Sequence, residues 1–433
     1  MRKVIHWLLV GCVFLLMSLP LLLSFADIKD IVRPLDGNYE KAARPYLTGR
    51  SWLKGSYQLS MEKYFSDHLS GRDFLIRLFN SFRFFCFRYV IAEGVTVGKS
   101  NVLYQQMYID ALVGRDLVNQ QDVEQDAVRL KAVQDSLKKY NKLLIFLVAP
   151  GKASMYPEFL PDSIPDHNKT ESNYERYSSA WRRSGCEILD MNASLHRLKS
   201  KVHYPIFPKN GTHWSGHLIP LIMDTISQYI SANSEFQLSK FSVKPGVETT
   251  IDLRYTDNDI GEKLNLLVGP KQWPLTYPAV TFSKPVTGKP RLLSIGDSFT
   301  QSFWGFYPFF DELFGDSTVF WYYNRLTGWP DELQRQYIDV KTLDLYSEVM
   351  SRDIILVVTT EQNLKTFSFN FINELYPYVQ YGLYRFNQDR AAMMHRISHT
   401  PEWLATVSKK SEESGIPRER MIRMDAEWVL FHP

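Results

Sequence analysis

The chain opens on an apolar run from about Val4 to Ala26, in which His6 is the one titratable member and which Arg2 and Lys3 precede. About 20 residues at roughly 1.5 Å each cover roughly 30 Å of hydrocarbon, so residues 1–26 are long enough for an uncleaved transmembrane anchor. The basic flank then predicts the N-terminus in the cytoplasm and everything after Asp27 outside. A cleaved signal peptide competes with this reading. Ser24 and Ala26 form a small-x-small site before Asp27, and Pro20 would break the helix near it. Both readings export the body, and no later run of about 18 apolar residues suggests a second span.

From about Gly55 to Ile91 apolar residues recur at helical spacing, predicting one or two amphipathic helices within a helical N-terminal segment, 27–120. This is a packing or docking segment, and its aromatic stripe (Phe79, Phe82, Phe84, Phe85, Phe87) reads as core in preference to a ligand surface, because Phe is usually buried. VTVGKSNVLY (95–104) predicts a strand with a turn at Gly98, and a helical pattern follows from about Asp122 to Tyr140. Next come near-continuous apolar runs of the sort buried on both faces: KLLIFLVAP (142–150), CEILDM (186–191), RLLSIG (291–296), TVFWYYN (318–324) and DIILVVTTE (353–361). Helical patterns at about 216–231, 301–314 and 387–409 alternate with them. The expected fold is α/β, a mostly parallel sheet flanked by helices over 121–385, with a C-terminal helical segment, 386–433. The interval 235–285 is turn-rich and reads as an insertion or lid.

Composition narrows the class. With 433 residues, 45% hydrophobic and 14% aromatic, the chain has ample apolar surface for two or three ordered units. Fifty Lys and Arg against 47 Asp and Glu leave a net +3, which argues against a nucleic-acid binder. Of three cysteines, Cys12 lies in the apolar run, leaving Cys86 and Cys186 as the one available bridge, and no CxxC is present.

The sharpest chemistry lies in RLLSIGDSFTQSFWGF. Gly296 permits a tight turn after a strand, Ser298 emerges at the strand's carboxyl end, and the next helix offers free N–H groups to an oxyanion. Asp297 beside it reads as a turn or cap residue. A serine hydroxyl needs a base, and PKNGTHWSGHL offers His213 just before a helical run; the competing role for His213 is a helix cap, with Trp214 in the core. His217 lies four residues on, but no Glu follows His213 and no third ligand cluster is evident, so neither a metal nor any other cofactor is expected.

The order of these elements resembles the alginate O-acetyltransferase group of the SGNH-hydrolase-like superfamily, exported proteins that O-acetylate bacterial polysaccharides. The N-terminal anchor, EKYFSDHLSGRDFLI, VTVGKSNVLY, LVAPGKASMYPEFLP (147–161), the THW element and GDSF follow one another as in that group. The resemblance implies an SGNH-like α/β domain with His213 as base and Ser298 as nucleophile. It also implies a polysaccharide acceptor and a membrane-bound O-acyltransferase that supplies acetyl groups.

One position departs from the pattern. The group has Asp-x-His-Trp, which would place an aspartate at 211, and this chain has Gly211. Asp257 and Asp259 in YTDNDI, or Glu361 at a strand end, are candidates to replace it; a backbone carbonyl could orient His213 instead, or the site could be degenerate. The expected activity is acetyl transfer through Ser298, with the oxyanion held by backbone N–H groups and Asn324. The alternatives are an acetyl esterase and a non-catalytic glycan-binding or assembly subunit.

Overall fold

The computed structural model describes residues 2–25, 33–37, 40–166, 170–284, 287–329 and 337–432. The apolar N-terminal run is helical as α1 (Arg2–Phe25) and continues through Pro20, where a break was expected. Among the described residues no helix is long and apolar enough to cross a membrane, so the anchor is unsupported as a span. The Ala26–Asp27 junction lies outside the described residues.

Six strands form the central sheet: β1 (Leu143–Ala149), β2 (Ile188–Asp190), β3 (Leu292–Gly296), β4 (Val319–Tyr322), β5 (Leu326–Trp329) and β6 (Ile354–Thr360), in the order β5-β4-β3-β6-β1-β2. All neighbours are parallel except β4 and β5, so the sheet is mixed rather than wholly parallel. Every residue of β1, β3 and β6 is buried. Their side chains alternate between two cores: Leu143, Ile145, Leu147, Ile354 and Leu356 enter one, and Leu144, Phe146, Val148, Ile355 and Val357 the other. That alternation follows from the strand period of two, with helices covering each face. Helices α4 (Gln120–Lys138), α5 (Asn173–Ser184) and α8 (Phe371–Tyr381) contribute to the second core, whereas α6 (Ile219–Asn233) and α7 (Ser298–Gly305) pack into the first. Local chemistry sets their ends: Ser172 and Glu175 make a capping box on α5, and Gly185 closes it in the left-handed region.

Several boundaries differ from the sequence reading. The run TVFWYYN ends as a strand at Tyr322, and Tyr323 and Asn324 turn the chain at φ 54° and 53° into antiparallel β5. Neither residue is a glycine, so no turn signal marked this hairpin. Pro308 separates α7 from a short helix, Phe309–Leu313, and the C-terminal pattern divides at Pro401 into α9 (Leu383–His399) and α10 (Pro401–Ser414), followed by α11 (Arg418–Phe431). Interval 235–285 folds as a two-stranded antiparallel ribbon, Phe241–Lys244 against Ala279–Phe282 and Glu248–Thr249 against Leu275–Thr276. Its far end carries the short helix Asp259–Lys263 back to the domain.

The N-terminal helices α2 (Ser56–His68) and α3 (Arg72–Phe87) form where expected, but the aromatic stripe is not core. Phe84 alone of the five is buried; Phe79, Phe82, Phe85 and Phe87 are 53–67% exposed. The reason is that α3 is tied down by its polar side. Arg77 donates to Leu266 O and Pro34 O, Asn80 to Leu264 O and Asn265 O, and Ser81 Oγ accepts from Leu267 N. Cys12, Cys86 and Cys186 are all free thiols, so the one available bridge is not made.

Candidate active site

Strand β3 delivers the serine. Gly296 closes it where a Cβ would collide with Thr300 Oγ1 and stand 2.9 Å from Val358 O on the neighbouring strand. Asp297 then caps α7: Oδ1 accepts from Phe299 N (2.9 Å), while Oδ2 accepts from Thr360 Oγ1 (3.0 Å) and Asn363 Nδ2 (2.6 Å). The turn is thereby fixed from β6, and Ser298 stands half-buried at the first position of the helix. Asp297 is thus a turn and cap residue, as its sequence context suggests.

His213 Nε2 lies 2.8 Å from Ser298 Oγ. The imidazole is 7% exposed and packs on Phe299 with ring centroids 4.9 Å apart, while Trp214 beside it is fully buried. On the other side Nδ1 lies 3.0 Å from Asp259 Oδ2. That approach is a close ion pair and not an aligned hydrogen bond. Asp259 is held in turn by Thr212 N (2.8 Å) and its neighbour Ile260 N (2.9 Å), both on Oδ1. Burial pushes its carboxyl up, but the facing imidazole, the Thr212 N–H and Lys263 outweigh that and hold it below its ordinary value. Serine, imidazole and carboxylate are therefore consecutive neighbours, met beyond the carboxyl end of β3, which is parallel to both adjoining strands.

The structure places the other candidates elsewhere. Asp257 is fully buried, two residues before Asp259. Its carboxylate accepts from Gly216 N (3.3 Å) and Tyr277 Oη (2.8 Å), and burial pushes it up to about 7. Glu361, at the end of β6, accepts from Gly151 N (2.8 Å), Ser154 Oγ (2.6 Å) and the Asn192 amide; burial again pushes it up to about 7. It pins the loop after β1 rather than orienting His213. Asn324 is equally committed: its amide donates to Glu374 Oε2 (3.0 Å) and Phe369 O (3.3 Å), which removes it as an oxyanion donor. His217 is half-buried with its pKa down to about 4 by desolvation, and no metal-binding group of three His, Cys, Asp or Glu occurs among the described residues.

Position 211 has no room for a side chain. A Cβ there would stand 2.6 Å from Pro208 Cγ, 2.9 Å from Thr256 O and 3.1 Å from Asp257 O. The turn that carries Asp259 occupies the space of a side chain at 211.

Lys152 is a residue that the sequence reading passed over. Its ammonium is fully buried and donates to three carbonyls, Leu103 O (2.6 Å), Lys209 O (2.8 Å) and Gly211 O (2.9 Å). Desolvation holds its pKa well below the ordinary lysine value. It ties the loop ahead of His213 to the start of the domain. Thr360 and Asn363, which fix Asp297, were likewise unremarked; their signal was a polar TTEQN run directly after a buried strand.

Residues 95–240 match the family model described as SGNH hydrolase-like domain, acetyltransferase AlgX. That stretch contains His213 but neither Asp259 nor Ser298. The chain is 24% identical over 139 residues to the probable alginate O-acetylase AlgJ of Pseudomonas syringae pv. tomato, covering 32% of this chain and 33% of that protein. It is 28% identical over 140 residues to the probable alginate O-acetylase AlgJ of Pseudomonas aeruginosa, covering 32% of each. The matched part is thus about a third of the length of these relatives. Among solved structures, the O-acetyltransferase domain of Pseudomonas putida AlgJ aligns with TM-score 0.43 and 15% identity over 65% of this chain and 99% of that one. Pseudomonas aeruginosa AlgX aligns with TM-score 0.41 and 12% identity over 64% and 67%. Over residues 95–240, about a third of its length, the chain is similar to the family described as SGNH hydrolase-like domain, acetyltransferase AlgX.

Proposed function

We propose that the protein is an O-acetyltransferase of an exported polysaccharide, working through an acetyl-Ser298 intermediate. The observation that supports this most is the line Ser298 Oγ, His213 Nε2, His213 Nδ1, Asp259 Oδ2, with separations of 2.8 and 3.0 Å, at a strand-to-helix turn. In the first half-reaction Ser298 Oγ bonds to the acetyl carbon while its proton passes to His213 Nε2. The bond to the leaving group breaks, and that group takes the proton from His213. In the second a glycan hydroxyl attacks the ester, gives its proton to His213, and Ser298 Oγ recovers it as the acetylated sugar leaves. Asp259 holds the ring tautomer and stabilises the imidazolium in both. The N–H of Ser298 at the start of α7 takes part of the oxyanion charge.

The same residues would serve an acetyl esterase if water replaced the sugar, since acceptor binding and water exclusion decide the partition. The similarity of residues 95–240 to the AlgX acetyltransferase family favours transfer. We place the domain in the cell envelope, outside the cytoplasmic membrane, with acetyl groups supplied by a membrane-bound O-acyltransferase. The test is mass spectrometry of the full chain after incubation with an activated acetyl ester, with and without oligosaccharides. An acetyl mass on Ser298 that moves to sugar supports transfer; an ester that releases only acetate supports hydrolysis, and no ester at all leaves the non-catalytic subunit.

A further inference from the structure

Helix α3 is amphipathic the wrong way round for a helix of a soluble domain. Arg77 and Phe84 on one side are buried, and Arg77, Asn80 and Ser81 bond to residues 264–267 and Pro34. The opposite face carries Leu78, Phe79, Phe82, Phe85 and the thiol of Cys86, all exposed. A run of large apolar side chains at i, i+3/i+4 spacing turned to water marks an interaction surface.

Charge points to what covers it. Residues 40–91 hold nine Lys or Arg and four Asp or Glu, a net +5 where the whole chain carries +3, so the basic excess is concentrated here. Arg83 lies along the edge of the apolar face, its guanidinium 5.2 Å from the Phe79 ring and 4.1 Å from the Tyr89 ring, and Arg88 is exposed at the end of the helix. An apolar face rimmed by arginines suits the boundary between acyl chains and anionic headgroups. The same end of the chain carries α1, whose Trp7, Leu8 and Phe14 are also exposed.

We propose that the outer face of α3 docks on an anionic lipid surface, lying in the interface with Phe79, Phe82 and Phe85 below the headgroups. This contact is separate from the chemistry at Ser298 and would hold the domain in a fixed orientation against the membrane.

Cys86 supplies a native probe on that face. The full chain with Cys12→Ser and Cys186→Ser is labelled at Cys86 with bimane and mixed with vesicles of phosphatidylcholine and phosphatidylglycerol, with or without lipids carrying a shallow acyl-chain nitroxide. Docking predicts a blue shift and loss of at least about half the emission to the nitroxide, weakened by Arg83→Glu/Arg88→Glu and by purely zwitterionic vesicles. A label on Glu412→Cys, on the exposed face of α10, should not be quenched. Vesicle-bound protein whose Cys86 label stays water-exposed and unquenched overturns the proposal, as does failure to bind vesicles. A Cys86 label already buried in lipid-free protein that runs as a dimer also overturns it, and gives the face to a second copy. Acetylation of Ser298 by a soluble ester is read in parallel, so loss of docking is distinguishable from loss of the enzyme.

Discussion

Asp259 faces His213 from the very turn that closes position 211 to a side chain. The carboxylate that faces the ring belongs to the ribbon inserted before β3 and not to position 211, with Oδ2 at 3.0 Å from Nδ1.

Asp259→Asn should therefore lower the rate of acetyl-enzyme formation by about 10² to 10⁴ while leaving the fold intact, because the amide can present its N–H₂ to the ring and stabilise the wrong tautomer. Gly211→Asp should not rescue it. The added side chain has to displace Pro208 or the Thr256–Asp257 backbone, at a cost of about 1–3 kcal/mol. Rapid-quench acetylation and a thermal melt of both variants check this pair, and full rescue by Gly211→Asp would show that the ribbon is not the source of the acid.

Ser298→Ala should abolish the acetyl mass altogether, and His213→Ala should come close to it, since residues acting as one unit do not lose activity additively. Ser298→Ala should melt near the parent temperature, because Ser298 is half-buried at a helix start and its hydroxyl bonds to the imidazole, whereas His213→Ala, which empties a buried site against Phe299 and Asp259, should melt lower. Intact-protein mass spectrometry reads the first effect and calorimetry the second.

Lys152→Met should be costly although methionine fills a similar volume. Leu103 O and Gly211 O lose this donor, at about 1–3 kcal/mol each when left unsatisfied, whereas Lys209 O keeps the Leu103 N–H (3.0 Å), so a destabilisation of about 2 kcal/mol or more is expected by chemical denaturation. The loop ahead of His213 loses its tether at Lys209 and Gly211, so activity should fall as well.

Asp257 and Glu361 give a pH signature. Each folded carboxyl is raised to about 7, from 3.8 and 4.5, so the folded state keeps protons that the unfolded chain has released. By linkage the stability they contribute is complete below about pH 4 and falls as pH rises toward about 7. Asp257→Asn should flatten part of that fall, seen as a smaller difference between melting temperatures at about pH 5 and about pH 8 than in the parent. An unchanged difference would mean that Asp257 does not hold its proton in the folded state.

Export of the body is checked by fusing alkaline phosphatase after Pro433. Activity in intact cells is expected; a fusion that works only as a cytoplasmic reporter would reverse the orientation proposed from Arg2 and Lys3.

The sequence by itself determined the parallel strands and singled out Ser298 as the candidate nucleophile. Five near-continuous apolar runs identify the parallel strands, because a strand covered on both faces buries mostly apolar side chains, and GDS between a strand and a helix marks Ser298 through local backbone geometry. His213 was legible as well, carried by the THW element next to a helix. The choice among Asp257, Asp259 and Glu361 was not, since all three are acids near turns or strand ends and their sequence distance from His213 says nothing about where a folded ribbon returns. Tertiary structure decided it by packing: Asp257 was taken by Gly216 and Tyr277, Glu361 by Gly151, Ser154 and Asn192, and only Asp259 was left facing the ring. The stripe of α3 was misread for the same reason. Apolar spacing tells which residues share a face but not what lies opposite, and here hydrogen bonds from Arg77 and Asn80 turned the polar side inward.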